Sequence, residues 1–234
     1  VTTYVLVHGA WSGGYSWRRL RPLLARPGHQ VFTPTLTGLG ERAHLVSPLT
    51  DLSTHVWDVV NHVLYEDLRD IVLVGHSYGG AVVTGAVEHI ADRISHLVYL
   101  DAFVPAGGES VSGLAGRGGV SAPSLTDEWL APPPPRDFGD PAEEAWANAR
   151  RRPHPMRCFT EPVALRRPLE EHDFTLTYIK ATAEPESAPG NAAFWAAARH
   201  AASDPRWSCH EIATTHVVQH HEPGALAEIL LALG

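Results

Sequence analysis

One serine in this chain sits where a hydroxyl can be made to react. Ser77 lies in Gly75-His76-Ser77-Tyr78-Gly79-Gly80, after the apolar run Ile71-Val72-Leu73-Val74 and ahead of the small-residue stretch Ala81-Val82-Val83-Thr84-Gly85-Ala86. That order reads as a buried strand, a tight turn and a helix, which lifts the serine to the tip of the turn. Gly-x-Ser-x-Gly alone is a weak match, and the flanking strand and helix patterns are what give it meaning. Glycine at 75 and 79 suits a place where strand and helix backbones pass close together. A serine hydroxyl is a poor nucleophile until a base takes its proton and a third group orients that base. The chemistry to look for is acyl transfer by a serine, a histidine and a carboxylate.

Secondary structure must deliver those groups. Strands are expected at 4–8, 30–33, 71–74 and 96–100. Helices are expected at 17–25, with Ser16 as N-cap, and at 51–65, where Leu52, Val56, Val59, Val60 and Val63 recur at helical spacing. Alternation of this kind means βαβ units and a mostly parallel sheet of about six strands flanked by helices. The pattern breaks at 103–170, which is Gly-rich, carries Pro132-Pro133-Pro134-Pro135, and has a short helical piece at 141–151. This stretch is expected to be a cap inserted over the carboxyl ends of the strands, where open α/β sheets bind ligands. Trp129, Phe138, Trp146, Met156 and Phe159 favour packing over disorder. Strands at 176–181 and 207–212 and helices at 191–202 and 223–233 complete the core. The chain therefore divides into 1–102 and 171–234 as core and 103–170 as cap.

In such a sheet the base follows the last strand. His216 stands nearest that strand end, whereas His220 and His221 read as surface or capping residues. The acid should follow the strand before it, where Glu184 is the first candidate and Glu186 its neighbour. Asp101, at the end of the 96–100 strand, is the alternative. Two backbone N–H groups, those of Ala10 and Tyr78, are placed to form an oxyanion hole, with Gly9 permitting close approach. Trp11, Tyr15, Trp129 and Phe159 are candidates for the substrate-binding wall. Tyr78 is weighed between pocket and core, and Trp17 is assigned to the core.

Composition narrows the class. A chain of 234 residues, 44% hydrophobic and with net charge -8, is neither disordered nor a basic nucleic-acid-binding protein. Lys180 is the sole lysine, read as a compositional bias. Cys158 and Cys209 read as two reduced thiols, and no Cys/His spacing of a zinc site occurs, so neither metal nor cofactor is expected. The chain opens on a strand and contains no apolar run of membrane-spanning length. A soluble cytoplasmic protein with no membrane partner is the expectation.

With these residues in view, the chain resembles the α/β-hydrolases. It resembles their plant methylesterase and hydroxynitrile-lyase branch, together with bacterial esterases of the pyrethroid-hydrolase kind. The resemblance runs through the strand and loop from Tyr4 to Trp11, on to Trp17 and Leu20-Arg21-Pro22-Leu23-Leu24, and through Pro27-Gly28-His29-Gln30-Val31. It takes in the Ser77 turn, Leu100-Asp101-Ala102-Phe103-Val104-Pro105, and the His216 loop ending at Pro223. It implies an α/β-hydrolase fold with nucleophile Ser77, base His216, oxyanion donors Ala10 and Tyr78, and an acid at Glu184, where methylesterases usually have aspartate. The lyases carry threonine where this chain has Gly9, glutamate where it has His76 and lysine where it has Val217. Ester hydrolysis is therefore what the resemblance implies, together with a possible homodimer, while the aromatic side chains expected around the site point to a small to medium apolar or aromatic ester. A lyase or cyclase using the same Ser/His pair, and a ligand receptor on the same fold, are the alternatives.

Overall fold

The computed structural model describes residues 1–26, 28–117, 128–188 and 190–234, so Pro27 and positions 118–127 of the expected cap lie outside it. The first half of the chain lays down β1 (Thr3–Val7), α1 (Arg21–Ala25), β2 (Gln30–Phe32), α2 (Leu52–Tyr65), β3 (Ile71–His76), α3 (Gly79–Ile90) and β4 (Ile94–Leu100). Short elements follow: α4 (Val111–Leu114), β5 (Leu130–Ala131), α5 (Pro141–Asn148), β6 (His154–Pro155) and α6 (Arg157–Thr160). The chain then returns with β7 (Thr175–Ala181), α7 (Ala192–Ser203), β8 (Trp207–Ile212), α8 (Val218–His221) and α9 (Pro223–Leu231). Six strands form one sheet in the order β2-β1-β3-β4-β7-β8, every neighbouring pair parallel. β5 and β6 form a separate antiparallel pair.

Alternate residues of the central strands feed two cores. Val5, Val7, Leu73, Leu97 and Tyr99 face the layer built by α2, α3 and α7, through Val59, Val83 and Phe194 among others. Tyr4, Leu6, Val72, Val74, Val98 and Leu100 face Leu24 of α1 and Leu226 and Leu230 of α9. Burial on both faces is why these strands read as continuous apolar runs. Asp51 caps α2 in a reciprocal box: its carboxylate accepts from the Thr54 amide at 2.9 Å, and the Thr54 hydroxyl reaches back to the Asp51 amide.

The expected helix at 17–25 is instead a 3-10 turn over Gly14–Trp17 followed by α1, with Pro22 in the first turn of α1. Proline has no N–H to give, so it favours a helix start over a helix interior. Ser16 caps nothing there; its hydroxyl bonds the Gly13 carbonyl at 2.9 Å.

The stretch between β4 and β7 is tied to the core by polar contacts. Glu143 of α5 accepts from Arg18, from Arg19 at 2.9 Å, and from His220 Nδ1 at 3.0 Å. The Trp11 indole donates to the Ala131 carbonyl at 2.9 Å. Both cysteines are free thiols. No described helix is long and apolar enough to cross a membrane.

Candidate active site

Three residues at the carboxyl ends of central strands hold positive φ without being glycine: Trp11 (60°), Ser77 (55°) and Asp101 (41°). Such backbone is strained, and it persists where surrounding bonds over-determine it. At Ser77 those bonds are an amide donated to Leu100 O (3.2 Å) and a carbonyl accepting from Gly80 N (3.0 Å) and Phe103 N (3.2 Å). Any Cβ added at Gly79 would lie 2.7 Å from Val7 O, and at Gly80 2.1 Å from Phe103 O. The small-residue run after the serine is thus the price of a sharp turn between packed backbones.

Ser77 and His216 line one pocket, together with Ala10, Trp11, Tyr15, His76, Arg136, Phe138, Arg151 and Val217. It encloses about 520 Å³, part of it open to solvent. His216 follows β8, and its ring lies between Phe194 (4.8 Å, 14°) and His76 (4.8 Å, 37°). Its Nδ1 is 2.6 Å from Asp101 Oδ2, and its carbonyl accepts from His76 Nε2 at 2.8 Å. With a carboxylate at Nδ1, that nitrogen carries the proton and Nε2 is left as the acceptor of the ring. Burial holds the His76 imidazole well below its ordinary pKa, so this neighbour is neutral.

Asp101 is 1% exposed. Its amide donates to Ile179 O at 2.8 Å, and its Oδ1 accepts from Lys180 Nζ (2.7 Å) and the Ala181 amide (3.3 Å). Burial pushes its pKa up, but the hydrogen bond from His216 and the charges of His216 and Lys180 outweigh this and hold it below the usual carboxylate range. It stays ionised against His216.

Glu184, first in line on strand order, is not brought to His216. Its backbone carbonyl accepts from Asn191 Nδ2 (2.9 Å) and Trp195 Nε1 (3.2 Å), and its carboxylate has no hydrogen bond among the described residues. Glu186 is exposed and paired with Arg199 at 2.8 and 2.9 Å. His220 is not a surface residue: α5 covers it, and it is 3% exposed on Glu143. Trp11 and Tyr15 line the pocket, whereas Trp129 and Phe159 are not among its lining residues. Phe159 packs behind it, 5.6 Å from the Trp11 ring. The Tyr78 side chain belongs to the core, its hydroxyl 2.8 Å from His55 Nδ1. Trp17 is fully buried in the core, as its sequence position implies. Neither the Ala10 nor the Tyr78 amide donates to a protein acceptor among the described residues.

Sequence reasoning missed Lys180, Arg136 and a buried group beneath the Ser77 turn. His55, His154 and Cys158 bring ligand-type atoms within 4.8 Å of one another. His55 donates through Nε2 to Thr37 O at 2.8 Å and accepts the Tyr78 hydroxyl at Nδ1. Both His55 nitrogens are thus engaged, whereas His154 accepts the Trp11 amide at Nδ1 (3.3 Å) and its buried Nε2 has no hydrogen-bond partner among the described residues. For Lys180 the signal was present: a lone cation inside a strand buried on both faces demands a partner.

Comparisons with known proteins bear on the family and the fold. The alpha/beta hydrolase family model matches residues 4–229. A carbendazim hydrolyzing esterase of Nocardioides sp. is 40% identical over 179 residues, 70% of this chain and 74% of that protein. Salicylic acid-binding protein 2 of Nicotiana tabacum is 37% identical over 105 residues, 44% of this chain and only 40% of its own length. Among solved structures, an Arabidopsis methylesterase superposes with TM-score 0.76 at 24% identity, covering 99% of this chain and 98% of that one. A pyrethroid hydrolase from Sphingobium faniae gives TM-score 0.71 at 21% identity, covering 99% and 96%. These two show the shared fold. The chain belongs to the alpha/beta hydrolase family.

Proposed function

We propose that this protein is a serine-dependent carboxylic ester hydrolase working through an acyl-enzyme. The observation that carries the reading is the 2.6 Å contact of His216 Nδ1 with buried Asp101, in the pocket that Ser77 also lines. Ser77 Oγ attacks the acyl carbonyl while His216 Nε2 takes its proton. The amides of Ala10 and Tyr78 receive the oxyanion, and His216 returns the proton to the leaving alcohol. Water then repeats the sequence on the acyl-serine. Asp101 keeps Nδ1 protonated and stabilises the imidazolium while remaining ionised.

The walls suit a small to medium ester with an apolar or aromatic part lying against Trp11, Tyr15, Phe138 and Val217. Arg136 and Arg151 add positive charge, favouring esters that carry a hydrogen-bond acceptor beside the scissile group. Relatedness to an esterase at 40% identity supports hydrolysis. Asp101 as the acid completes the three groups that hydrolysis needs, so the absence of an aspartate after β7 gives no support to elimination or cyclisation by the same Ser/His pair. The test is labelling with a fluorophosphonate probe and peptide mapping, alongside p-nitrophenyl ester assays. Label on Ser77 with ester turnover is expected, both lost in Ser77→Ala. Ester turnover that survives Ser77→Ala would overturn the reading.

A further inference from the structure

The one lysine of the chain is fully enclosed at the triad. Lys180 is 2% exposed, with Nζ donating to Asp101 Oδ1 at 2.7 Å and to Ala181 O at 2.6 Å, and lying 4.5 Å from the Trp195 ring centroid. Sheet register puts it there. Leu100 of β4 pairs with Ile179 of β7, so the next residue along each strand is Asp101 on one side and Lys180 on the other. A buried ammonium is costly unless paired and hydrogen-bonded, and this one is held by a carboxylate, a carbonyl and an aromatic face. It touches neither the pocket nor the serine.

We propose that Lys180 is a positioning residue of the triad. Its ammonium fixes Asp101 with Oδ1 toward β7 and Oδ2 toward His216, and its charge offsets part of the field that Asp101 exerts on the imidazole. This inference rests on the hydrolase reading above. Two consequences follow from one contact. Orientation of the carboxylate keeps the His216 ring in its working tautomer. Partial neutralisation of the carboxylate weakens the pull that Asp101 exerts on a protonated ring.

Other groups act on the same ring and have to be held constant. His76 of β3 lies tilted against it, Tyr178 of β7 and Arg136 face Asp101 from a distance, and Glu184 acts on Arg136. Phe194 and Trp195 of α7 add no charge.

Two variants separate orientation from charge. Lys180→Gln keeps an amide donor without the charge, whereas Lys180→Met removes both. Both should move the acid limb of kcat/KM upward by about one pH unit, because losing a nearby cation favours the protonated ring. Only Lys180→Met should also lose about tenfold in kcat, a small part of the ~10⁴-fold that loss of the acid itself brings. A folded Lys180→Met protein with unchanged kcat and an unchanged acid limb overturns the proposal.

Should Lys180→Met fail to fold, the unsubstituted protein still decides. Because Lys180 is the sole lysine, ¹⁵N-lysine labelling yields a single side-chain ammonium signal. That signal is expected to shift with the same midpoint as the His216 ring signals, and a signal that stays flat while His216 titrates refutes the coupling. This readout needs no turnover. If the protein hydrolyses no ester, the hydrolase reading fails while the Lys180 coupling is still measured.

Discussion

The carboxyl ends of β4 and β7 are each followed by a carboxylate, and only the one after β4 meets His216. After β4, Asp101 is buried, fixed at positive φ, and held by His216, Lys180 and the Ala181 amide. After β7, Glu184 is partly exposed, and its carboxylate makes no hydrogen bond among the described residues, its backbone carbonyl being held by Asn191 and Trp195. The difference teaches that the carboxylate a histidine meets is fixed by the donors that preorganise it rather than by which strand carries it. An orienting acid must stay ionised and keep one lone pair on Nδ1, and both demands need donors already in place.

Exchanging the two carboxylates one at a time is the strongest way to break the comparison. Asp101→Asn should lower kcat on p-nitrophenyl esters by about 10⁴-fold, since the amide favours the wrong imidazole tautomer. Glu184→Gln should stay within about twofold, there being no triad contact to lose. Equal losses in the two variants would erase the distinction.

Stability sharpens it next. Asp101→Ala strands the Lys180 ammonium in the core, and breaking one side of a buried pair costs about 3–5 kcal/mol in urea unfolding. Glu184→Ala should remain within about 0.5 kcal/mol, as expected of a site without buried partners. Acid sensitivity should follow the same division. Asp101 has a depressed pKa in the folded state, so its contribution is present above the ordinary carboxylate range and is lost as pH falls through the depressed value. Melting temperatures from about pH 6 to 3 should therefore fall less steeply for Asp101→Asn than for the unsubstituted protein, while Glu184→Gln follows the latter. The smallest effect concerns the pocket wall. Arg136→Met should raise KM for esters carrying a hydrogen-bond acceptor beside the scissile group by about tenfold, and leave kcat for esters without one within about twofold.

Much of the core was legible because physics writes it locally. Strands buried on both faces must be apolar throughout, and the Ser77 turn must be flanked by small residues. The proposed acid was less legible, because strand order points to the loop after β7 and only strand pairing brings Asp101 and Lys180 side by side. Reading Lys180 as compositional bias hid the clue, since a cation in the middle of Leu176-Thr177-Tyr178-Ile179 and Ala181 has to be neutralised by an adjacent strand. The environments of His220, Trp129 and Phe159 depend on how the stretch between β4 and β7 folds back, and no local pattern encodes that. Burial of His220 needed Glu143, a residue far away in sequence, to supply its partner.

The most direct measurement is the low-field proton NMR signal of the His216 Nδ1–H, which reports its carboxylate partner without any need for turnover. It is expected in the unsubstituted protein and in Glu184→Gln, and to vanish in Asp101→Asn. Persistence of that signal in Asp101→Asn, with its loss in Glu184→Gln, would contradict Asp101 as the acid and return the role to β7.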